Sequence, residues 1–222
     1  MGKGLFITGT GTDIGKTYVT ALLAKKLKDS GLSVGYYKAA LSGADSIKNS
    51  DAGYVKQIAG LEEDDELLLS YLYKNAVSPH LAARWEGRPI DKEVIQEGYK
   101  KVAARYDYVL MEGSGGIVCP IRIDDTQDLY LTDLIKMLEL SVLIVAEAGL
   151  GTINAVVTTV AYARSLGIEV KGVILNHWLG NPMEVDNALM ITKMAGVPIA
   201  AKVSQGATEL SADIEVLKAM FE

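Results

Sequence analysis

The stretch GTGTDIGKTY at positions 9–18 contains a Gly-Lys-Thr triplet preceded by glycines, a combination that holds nucleotide phosphates in many proteins. The usual pattern, G-x-x-x-x-G-K-T, would place its first glycine at Thr10, but the glycines here are Gly9 and Gly11. We expect positive φ angles at Gly9 and Gly11 to preserve the phosphate cradle around Thr10. The alternative is a glycine-rich turn that only imitates a phosphate loop.

If the loop binds nucleotide, Lys16 reaches the outer phosphates and the Thr17 hydroxyl takes one coordination position on Mg²⁺. Two carboxylates are candidates for the same cation. Glu112 ends the apolar run YVLME before the turn GSGG, where a carboxylate is costly unless it meets a cation, although a solvated strand end is the alternative. Asp51 stands where a helix begins and either binds the metal or caps that helix.

A second lysine, Lys38, ends a predicted strand in GYYKAALSG, where it would point toward Lys16 and stabilise a transferring phosphoryl group. Ser42 follows and offers a hydroxyl to a substrate. His80 either binds a ligand or caps a helix, whereas His177 and Cys119 are interpreted as packing residues. The chain has no Ser-His-Asp order, CxxC or HExxH motif that would indicate a hydrolase or a zinc site.

These residues need a scaffold, and short apolar runs that alternate with amphipathic stretches predict one. The runs read as buried parallel strands, at 4–8, 33–37, 106–112, 141–146, 170–176 and 197–203. Helical spacing of apolar residues follows at Val19–Leu27, which Gly31 would end, and again from Ile153, where Gly167 would end it. The alternation predicts a doubly wound α/β sheet with ligands at the carboxyl ends of its strands.

Composition limits the protein class. With 222 residues, 49% hydrophobic and 23% charged, the chain predicts one domain over residues 1–222. A net charge of −6 argues against a nucleic-acid binder. The apolar region 142–163 is interrupted by Glu147 and two glycines, so no membrane span is expected. One cysteine and no signal-peptide pattern predict a cytoplasmic protein.

The ordered motifs resemble those of the dethiobiotin synthetase family of biotin biosynthesis. TGTGTDIGKT is similar to that family's loop T-G-T-x-T-x-x-G-K-T, which carries the same one-residue shift, and GYYKAALSG is similar to G-Y-x-K-P-V-x-S-G. NSDA, SPHLAARWEGRPI, LMEGSGG, GLGTINAV and GVILN follow in the family's order. The resemblance implies a P-loop NTPase-type fold, with a mainly parallel doubly wound sheet and helices on both faces.

The resemblance also implies residue roles. Lys16 and Lys38 would be catalytic, Ser42 would contact the diamine substrate, and Thr17, Asp51 and Glu112 would hold Mg²⁺. Asn176 would read the purine edge, and the backbone of residues 203–205 would line the base pocket. The implied nucleotide site comprises Thr12, Asp13, Ile14, Gly15, Lys16, Thr17, Tyr18, Asp51, Glu112, Gly113, Ser114, Gly115, Asn176, Val203, Ser204 and Gln205.

A further anion site is predicted where GLGTIN leads into a helix, because the N–H groups of Thr152, Ile153 and Asn154 would be free there. The substrate's carboxylate suits this site, formed with Gly151. The resemblance implies that this helix end comes from the partner subunit, in an obligate homodimer with active sites at the subunit interface. The alternative is a monomer whose helix is capped by the Thr152 hydroxyl.

The implied reaction is ring closure of 7,8-diaminononanoate with CO₂, or bicarbonate as its source, and ATP, through a carbamate and a carbamic-phosphoric anhydride. Two departures from the family pattern bear on it: Ala39 and Ala40 replace Pro-Val beside Lys38, and Ser204 replaces the proline of the base loop, which leaves other nucleoside triphosphates possible. The alternative function is a partitioning-type ATPase switch, but the signature lysine of those proteins is Gly11 here.

Overall fold

A computed structural model describes residues 2–222 as an α/β fold; Met1, with which the predicted domain begins, lies outside the described residues. The strands are β1 (Lys3–Gly9), β2 (Val34–Ser42), β3 (Leu69–Tyr73), β4 (Tyr108–Gly116), β5 (Pro120–Ile123), β6 (Asp128–Tyr130), β7 (Ser141–Glu147), β8 (Val170–Asn176) and β9 (Ile199–Lys202). The helices are α1 (Lys16–Asp29), α2 (Asp51–Ala59), α3 (Asp65–Leu68), α4 (Pro79–Trp85), α5 (Lys92–Ala103), α6 (Leu131–Met137), α7 (Thr152–Ser165), α8 (Pro182–Ala195) and α9 (Ile214–Ala219). A short 3₁₀ helix, Ile47–Asn49, precedes α2.

Within residues 2–222, seven strands form the main sheet in the order β3-β2-β4-β1-β7-β8-β9, and all of its neighbouring strands are parallel. β5 and β6 form a separate antiparallel pair. From β1 the chain builds one half of the sheet through β2, β3 and β4, and then the other half through β7, β8 and β9. The carboxyl end of β1 therefore lies at the switch point, where doubly wound folds bind ligands.

The sheet is buried on both faces because its strands are apolar on both sides. In β1, Leu5 and Ile7 pack in one core with Leu22 of α1, while Phe6 packs in the opposite core with Leu134 of α6. Helices α1, α2 and α9 contribute to the first core, and α5, α6, α7 and α8 contribute to the second. This arrangement confirms the predicted doubly wound sheet with helices on both faces.

Two predicted strand ends are wrong. β2 continues past Lys38 to Ser42, because Ala40 and Leu41 are buried and pair with Tyr71 and Leu72 of β3, a strand that was not predicted. β4 likewise continues through GSGG to Gly116, which pairs with Gly9 of β1. Lys38 and Glu112 thus lie inside their strands, which continue to Ser42 and Gly116.

The two predicted helix stops are confirmed. Gly31 follows α1 with φ +83°, and Gly167 follows α7 with φ +73°, a left-handed conformation that glycine adopts readily. Within residues 2–222, none of the helices has both the length and the apolar character needed to cross a membrane.

Candidate active site

The phosphate-loop segment connects β1 to α1 at the switch point. Its left-handed residues are Asp13 (φ 59°) and Gly15 (φ 79°), so the prediction of positive φ at Gly9 and Gly11 is wrong. Gly9 has little space around it instead, since a Cβ there would lie 2.6 Å from Cδ1 of Ile14 and 3.0 Å from the carbonyl oxygen of Gly11. Gly15 is the N-cap of α1 and provides no side-chain cap, which leaves the helix N-terminus available to an anion.

Lys38 and Glu112 face each other across β2 and β4, where they are paired in register. The Lys38 Nζ donates to Oε1 of Glu112 at 2.9 Å and to Oδ2 of Asp51 at 2.5 Å. The Lys16 Nζ lies 3.5 Å from the same Glu112 oxygen, and the Thr17 hydroxyl donates to it at 2.8 Å. The structure therefore brings Lys16, Lys38 and Thr17 around one oxygen of Glu112, and Asp51 joins the cluster through Lys38.

Burial makes these charges depend on one another. The side chains of Lys38 and Glu112 are 3% and 0% exposed. Burial acts to raise the pKa of Glu112, but the neighbouring Lys38 and Lys16 ammonium groups hold that pKa below its ordinary value. Burial acts to lower the pKa of Lys38, and the carboxylates of Glu112 and Asp51 nevertheless hold that pKa above its ordinary value. Glu112 is therefore ionised and Lys38 charged at neutral pH.

The pKa of Lys16 is shifted in the opposite direction to that of Lys38. Burial is the largest influence on Lys16 and lowers its pKa, against the opposing effect of the Glu112 carboxylate. The Lys16 side chain is 10% exposed and lines a crevice. Two ammonium groups and two carboxylates form a cluster that is close to neutral, and nucleotide phosphates would add negative charge to it.

The N-cap interpretation of Asp51 is wrong. Ser50 is the N-cap of α2, and its hydroxyl accepts the N–H of Gly53. Asp51 is the first residue of the helix, and its carboxylate is directed at Lys38. The ion pair with Lys38 lowers the pKa of Asp51 despite its partial burial, which favours the ionised form that a cation would bind.

The donor set fits a hard divalent cation. Thr17 supplies a hydroxyl, and Asp51 and Glu112 supply carboxylates. The Thr17 hydroxyl contacts Glu112, and both carboxylates contact Lys38 Nζ. Within residues 2–222 there is no cluster of three or more His, Cys, Asp or Glu residues suited to a metal. A cation held by few protein ligands retains waters and takes substrate phosphate oxygens, which is the usual coordination of Mg²⁺.

A crevice of about 920 Å³ opens beside this cluster. Part of its lining comes from the phosphate loop and from Lys16, Lys38 and Asp51, whereas Glu112 is buried beneath them. Another part is largely apolar and was missed by the sequence analysis; it consists of Leu41, Ala76, Val77, Pro79, Val118, Cys119 and Pro120. The run LSYLY at 69–73 was the available signal, because tyrosine is common in strands, and a strand there places residues 76–79 at the carboxyl edge of the sheet.

Ser42 lines the crevice, and its hydroxyl donates to the carbonyl oxygen of Val77 at 2.5 Å, so its lone pairs remain for a ligand. His80 lies in the first turn of α4 with Nδ1 3.0 Å from the Ser78 hydroxyl. Cys119 is buried, as predicted, and burial raises its pKa to about 11. The packing interpretation of His177 is wrong, because this side chain is 43% exposed and pairs with Glu147.

Asn176 lies at the end of β8 and is fully buried. Its Nδ2 donates to the carbonyl oxygen of Ile14 at 2.9 Å, so it ties β8 to the phosphate loop. Its Oδ1 is buried and has no hydrogen-bond partner among residues 2–222. In the predicted base segment, Val203 is buried, whereas Ser204 and Gln205 are exposed. The Tyr18 hydroxyl donates to the carbonyl oxygen of Ala207, which follows this segment.

The remaining loop residues of the predicted nucleotide site divide by position. Thr12, Asp13, Gly15, Ser114 and Gly115 line the crevice. Ile14 and Gly113 are buried beneath it, where a Cβ on Gly113 would lie 2.8 Å from the ring of Phe6.

The predicted tail site, Gly151–Asn154, begins α7 at the carboxyl end of β7. Gly151 is the N-cap with φ 90°. The Thr152 N–H is not free as predicted, since it donates to the carbonyl oxygen of Gly149 at 3.3 Å. The Thr152 hydroxyl does not cap the helix either; it is buried and has no partner within residues 2–222. Among the described residues, none of Gly151–Asn154 lines the crevice.

Comparison with known proteins gives the family. A family model described as an AAA domain matches residues 3–208. An ATP-dependent dethiobiotin synthetase BioD from Brachyspira hyodysenteriae is 52% identical to this chain, and the match spans 100% of both proteins. Proteins of the same name from Clostridium kluyveri and Clostridium perfringens are 48% and 47% identical over 91% and 89% of this chain and 86% and 88% of their own. The chain belongs to the dethiobiotin synthetase family.

Solved structures of more distant proteins share the fold of this dethiobiotin synthetase family member. Chloroplast FtsY from Physcomitrella patens superposes with a TM-score of 0.57 at 18% identity, covering 100% of this chain and 66% of the FtsY chain. A MinC:MinD cell division complex from Aquifex aeolicus gives a TM-score of 0.57 at 16% identity, covering 98% of this chain and 86% of the matched chain. At these identities the likeness shows the P-loop NTPase-like fold alone.

Proposed function

We propose that the chain catalyses the ATP-dependent closure of 7,8-diaminononanoate and CO₂ to dethiobiotin, releasing ADP and phosphate. The observation that carries the proposal is the cluster formed by the buried Lys38 and Glu112 with Lys16 and the partly exposed Asp51, beside the phosphate loop and the crevice. The names of the relatives support the same reaction, since they are ATP-dependent dethiobiotin synthetases. We take residues 1–222 as one catalytic domain.

The reaction has three steps in this proposal. One amine attacks CO₂, forming an N–C bond and losing a proton, to give a carbamate. A carbamate oxygen then attacks the γ-phosphorus of ATP, and the bond to the β-phosphate oxygen breaks as ADP leaves. The second amine attacks the carbonyl carbon of the resulting carbamic-phosphoric anhydride, so phosphate leaves and the cyclic urea closes.

Each step needs positioned reactants and neutralised negative charge rather than a protein nucleophile. Lys16 binds the outer phosphates from the phosphate loop, and Lys38 neutralises charge on the transferring group and the carbamate. Thr17, Asp51 and Glu112 hold Mg²⁺, which supplies charge neutralisation and orientation at the phosphates when bound. Ser42 accepts a hydrogen bond from a substrate amine. Leu41, Val77 and Val118 provide an apolar wall for the alkyl chain.

Base recognition is proposed at the far end of the loop. The Asn176 side chain supports Ile14 of the phosphate loop, and its Oδ1, which has no hydrogen-bond partner among the described residues, is the acceptor for a donor group of the base. Ser204 lacks the conformational restriction of proline, so the base segment is less rigid than a proline would make it. We therefore propose a modest preference for ATP over other nucleoside triphosphates.

We also propose that the protein acts as a homodimer with shared active sites. The start of α7 has a left-handed glycine N-cap and a buried, unpartnered Thr152 hydroxyl, yet these residues do not belong to the crevice of their own chain. Apolar side chains near this loop are exposed, with Leu150 at 92%, and α8 adds Met183, Leu189 and Met194. A second copy covering this surface would bring its own α7 terminus to the carboxylate of the substrate.

The test is product formation from diaminononanoate, bicarbonate, Mg²⁺ and each nucleoside triphosphate in turn. We expect phosphate release to require the diamine and bicarbonate together, with dethiobiotin formed in equal amount. Phosphate release that ignores both substrates would contradict the synthetase and favour the partitioning-type ATPase switch. That alternative is weakened by the absence of its signature lysine, since Gly11 occupies the place.

A further inference from the structure

The two oxygens of Glu112 have different surroundings. Oε1 accepts hydrogen bonds from Thr17 and Lys38 and faces Lys16, on the side of the crevice. Oε2 lies on the buried side and accepts one hydrogen bond among the described residues, from the hydroxyl of Tyr36 at 3.1 Å. That hydroxyl is therefore the contact that distinguishes the inner oxygen of the carboxylate from the outer one.

The sheet holds Tyr36 rigidly in this position. Tyr36 lies two residues before Lys38 on β2, so both side chains project from the same face, and Glu112 pairs with Lys38 in the neighbouring strand. The Tyr36 side chain is fully buried, and its backbone N–H donates to Oε2 of Glu63 at 2.9 Å. A tyrosine hydroxyl is protonated at neutral pH, so it acts as the donor in its contact with Glu112.

We propose that Tyr36 is a positioning residue that orients Glu112 for Mg²⁺. The inference rests on the proposed function, in which Glu112 is a ligand. With the hydroxyl on Oε2, the carboxylate cannot rotate about its terminal bond without breaking a buried hydrogen bond, so Oε1 stays directed at the crevice. Outer partners of this kind typically change metal affinity about 10–100-fold when they are removed.

Tyr36→Phe tests the proposal, and Tyr37→Phe is the matched control. Tyr37 is the next residue of β2 and is equally buried, but it projects from the opposite face, where its hydroxyl bonds to Ser70 and to the carbonyl oxygen of Ile95. Both variants lose one buried tyrosine hydroxyl from the same strand. Calorimetry measures the affinity for a non-hydrolysable ATP analogue in EDTA and over a series of Mg²⁺ concentrations.

We expect Tyr36→Phe to require about tenfold more Mg²⁺, or more, for half-maximal strengthening of analogue binding. Its affinity in EDTA should equal that of the wild type, and Tyr37→Phe should have the wild-type Mg²⁺ dependence. A wild-type Mg²⁺ dependence in Tyr36→Phe, or an equal change in both variants, would overturn the proposal. If the wild type itself shows no Mg²⁺-dependent nucleotide binding, the proposed function fails instead.

A second measurement distinguishes weaker Mg²⁺ binding from a general loss of stability in Tyr36→Phe. For each protein, the melting temperature is measured with the ATP analogue in EDTA and with the analogue in Mg²⁺, and the rise from the first value to the second is calculated. A smaller rise for Tyr36→Phe than for Tyr37→Phe supports the positioning role. Equal rises overturn it, because a purely structural hydroxyl lowers both temperatures by the same amount.

Discussion

Replacing Lys38 by methionine keeps most of the side-chain volume and removes the ammonium group between Asp51 and Glu112. The Glu112 side chain is 0% exposed, so its carboxylate would lose its shortest charge partner without gaining water. Removing one member of a buried ion pair typically costs about 3–5 kcal/mol. Because Lys16 remains 3.5 Å from the same oxygen, we expect a loss of about 3 kcal/mol in the free energy of unfolding in EDTA.

The same substitution should strengthen Mg²⁺ binding. Without the Lys38 ammonium, Mg²⁺ no longer competes with a fixed cation for the two carboxylates, so Mg²⁺ with nucleotide should recover part of the lost stability. Turnover should not recover, since losing one cation at a transferring phosphoryl group costs on the order of 10²–10³ in rate. Urea unfolding with and without Mg²⁺ and a phosphate-release assay measure these quantities.

Lys56→Met is the control for the loss of a lysine ion pair. Lys56 bonds to Asp65 at 2.6 Å, a similar distance, but the two side chains are 32% and 57% exposed. An exposed pair contributes at most about 1 kcal/mol, and Lys56→Met should keep wild-type turnover. The reasoning is refuted if both variants lose the same stability in EDTA, and Lys38 has no part in the reaction if Lys38→Met turns over at the wild-type rate.

Further expectations concern pH, the base and assembly. Burial raises the pKa of Glu63 to about 7; because the folded pKa exceeds the unfolded one, the free energy of unfolding should fall as pH rises from about 4.5 to 7, by up to about 3 kcal/mol. Glu63→Gln should flatten that slope in urea unfolding, and an unchanged slope would assign it to another group. Discrimination between ATP and other nucleoside triphosphates should be under about 3 kcal/mol. Asn176→Ala should weaken the binding of all of these nucleotides, because Ile14 loses its hydrogen-bond partner. Strict ATP specificity that survives Asn176→Ala in competition assays would place base recognition elsewhere. Mixing inactive Lys38→Ala with inactive Thr152→Trp should restore part of the activity if one mixed dimer contains one intact shared site, whereas mixed dimers that form and stay inactive would rule out shared sites.

The positions of Lys16 and Thr17 in the fold have a local cause. Lys16 and Thr17 follow an apolar strand and a glycine-rich turn, so their position depends on residues within one β-loop-α unit. The backbone conformation inside that unit was harder to predict, because Asp13 takes a left-handed φ that the sequence suggested for Gly9 and Gly11. Asp13 tolerates this conformation, as Asp often does, while Gly9 is closely approached by the Ile14 side chain and by the carbonyl oxygen of Gly11.

The lengths of the strands depended on partners far along the chain. Ala39 and Ala40 look like a strand end when β2 is read alone, yet both are buried in the core and the strand continues because β3 pairs beside it. The same holds for GSGG after Glu112, whose last glycine pairs with Gly9. Strand pairing is non-local, and short apolar or glycine-rich segments carry little information about it on their own.

By itself, the sequence of this protein determined the fold class, the phosphate loop and the identities of the charged residues, because apolar periodicity and glycine placement act over short stretches. Only the tertiary structure decided which charges meet. The register of β2 with β4 sets Lys38 against Glu112, and the start of α2 brings Asp51 to the same lysine. The same register places Tyr36 behind Glu112 and Tyr37 on the other face. Burial then makes these contacts strong, since charges removed from water depend on the few partners that the fold provides.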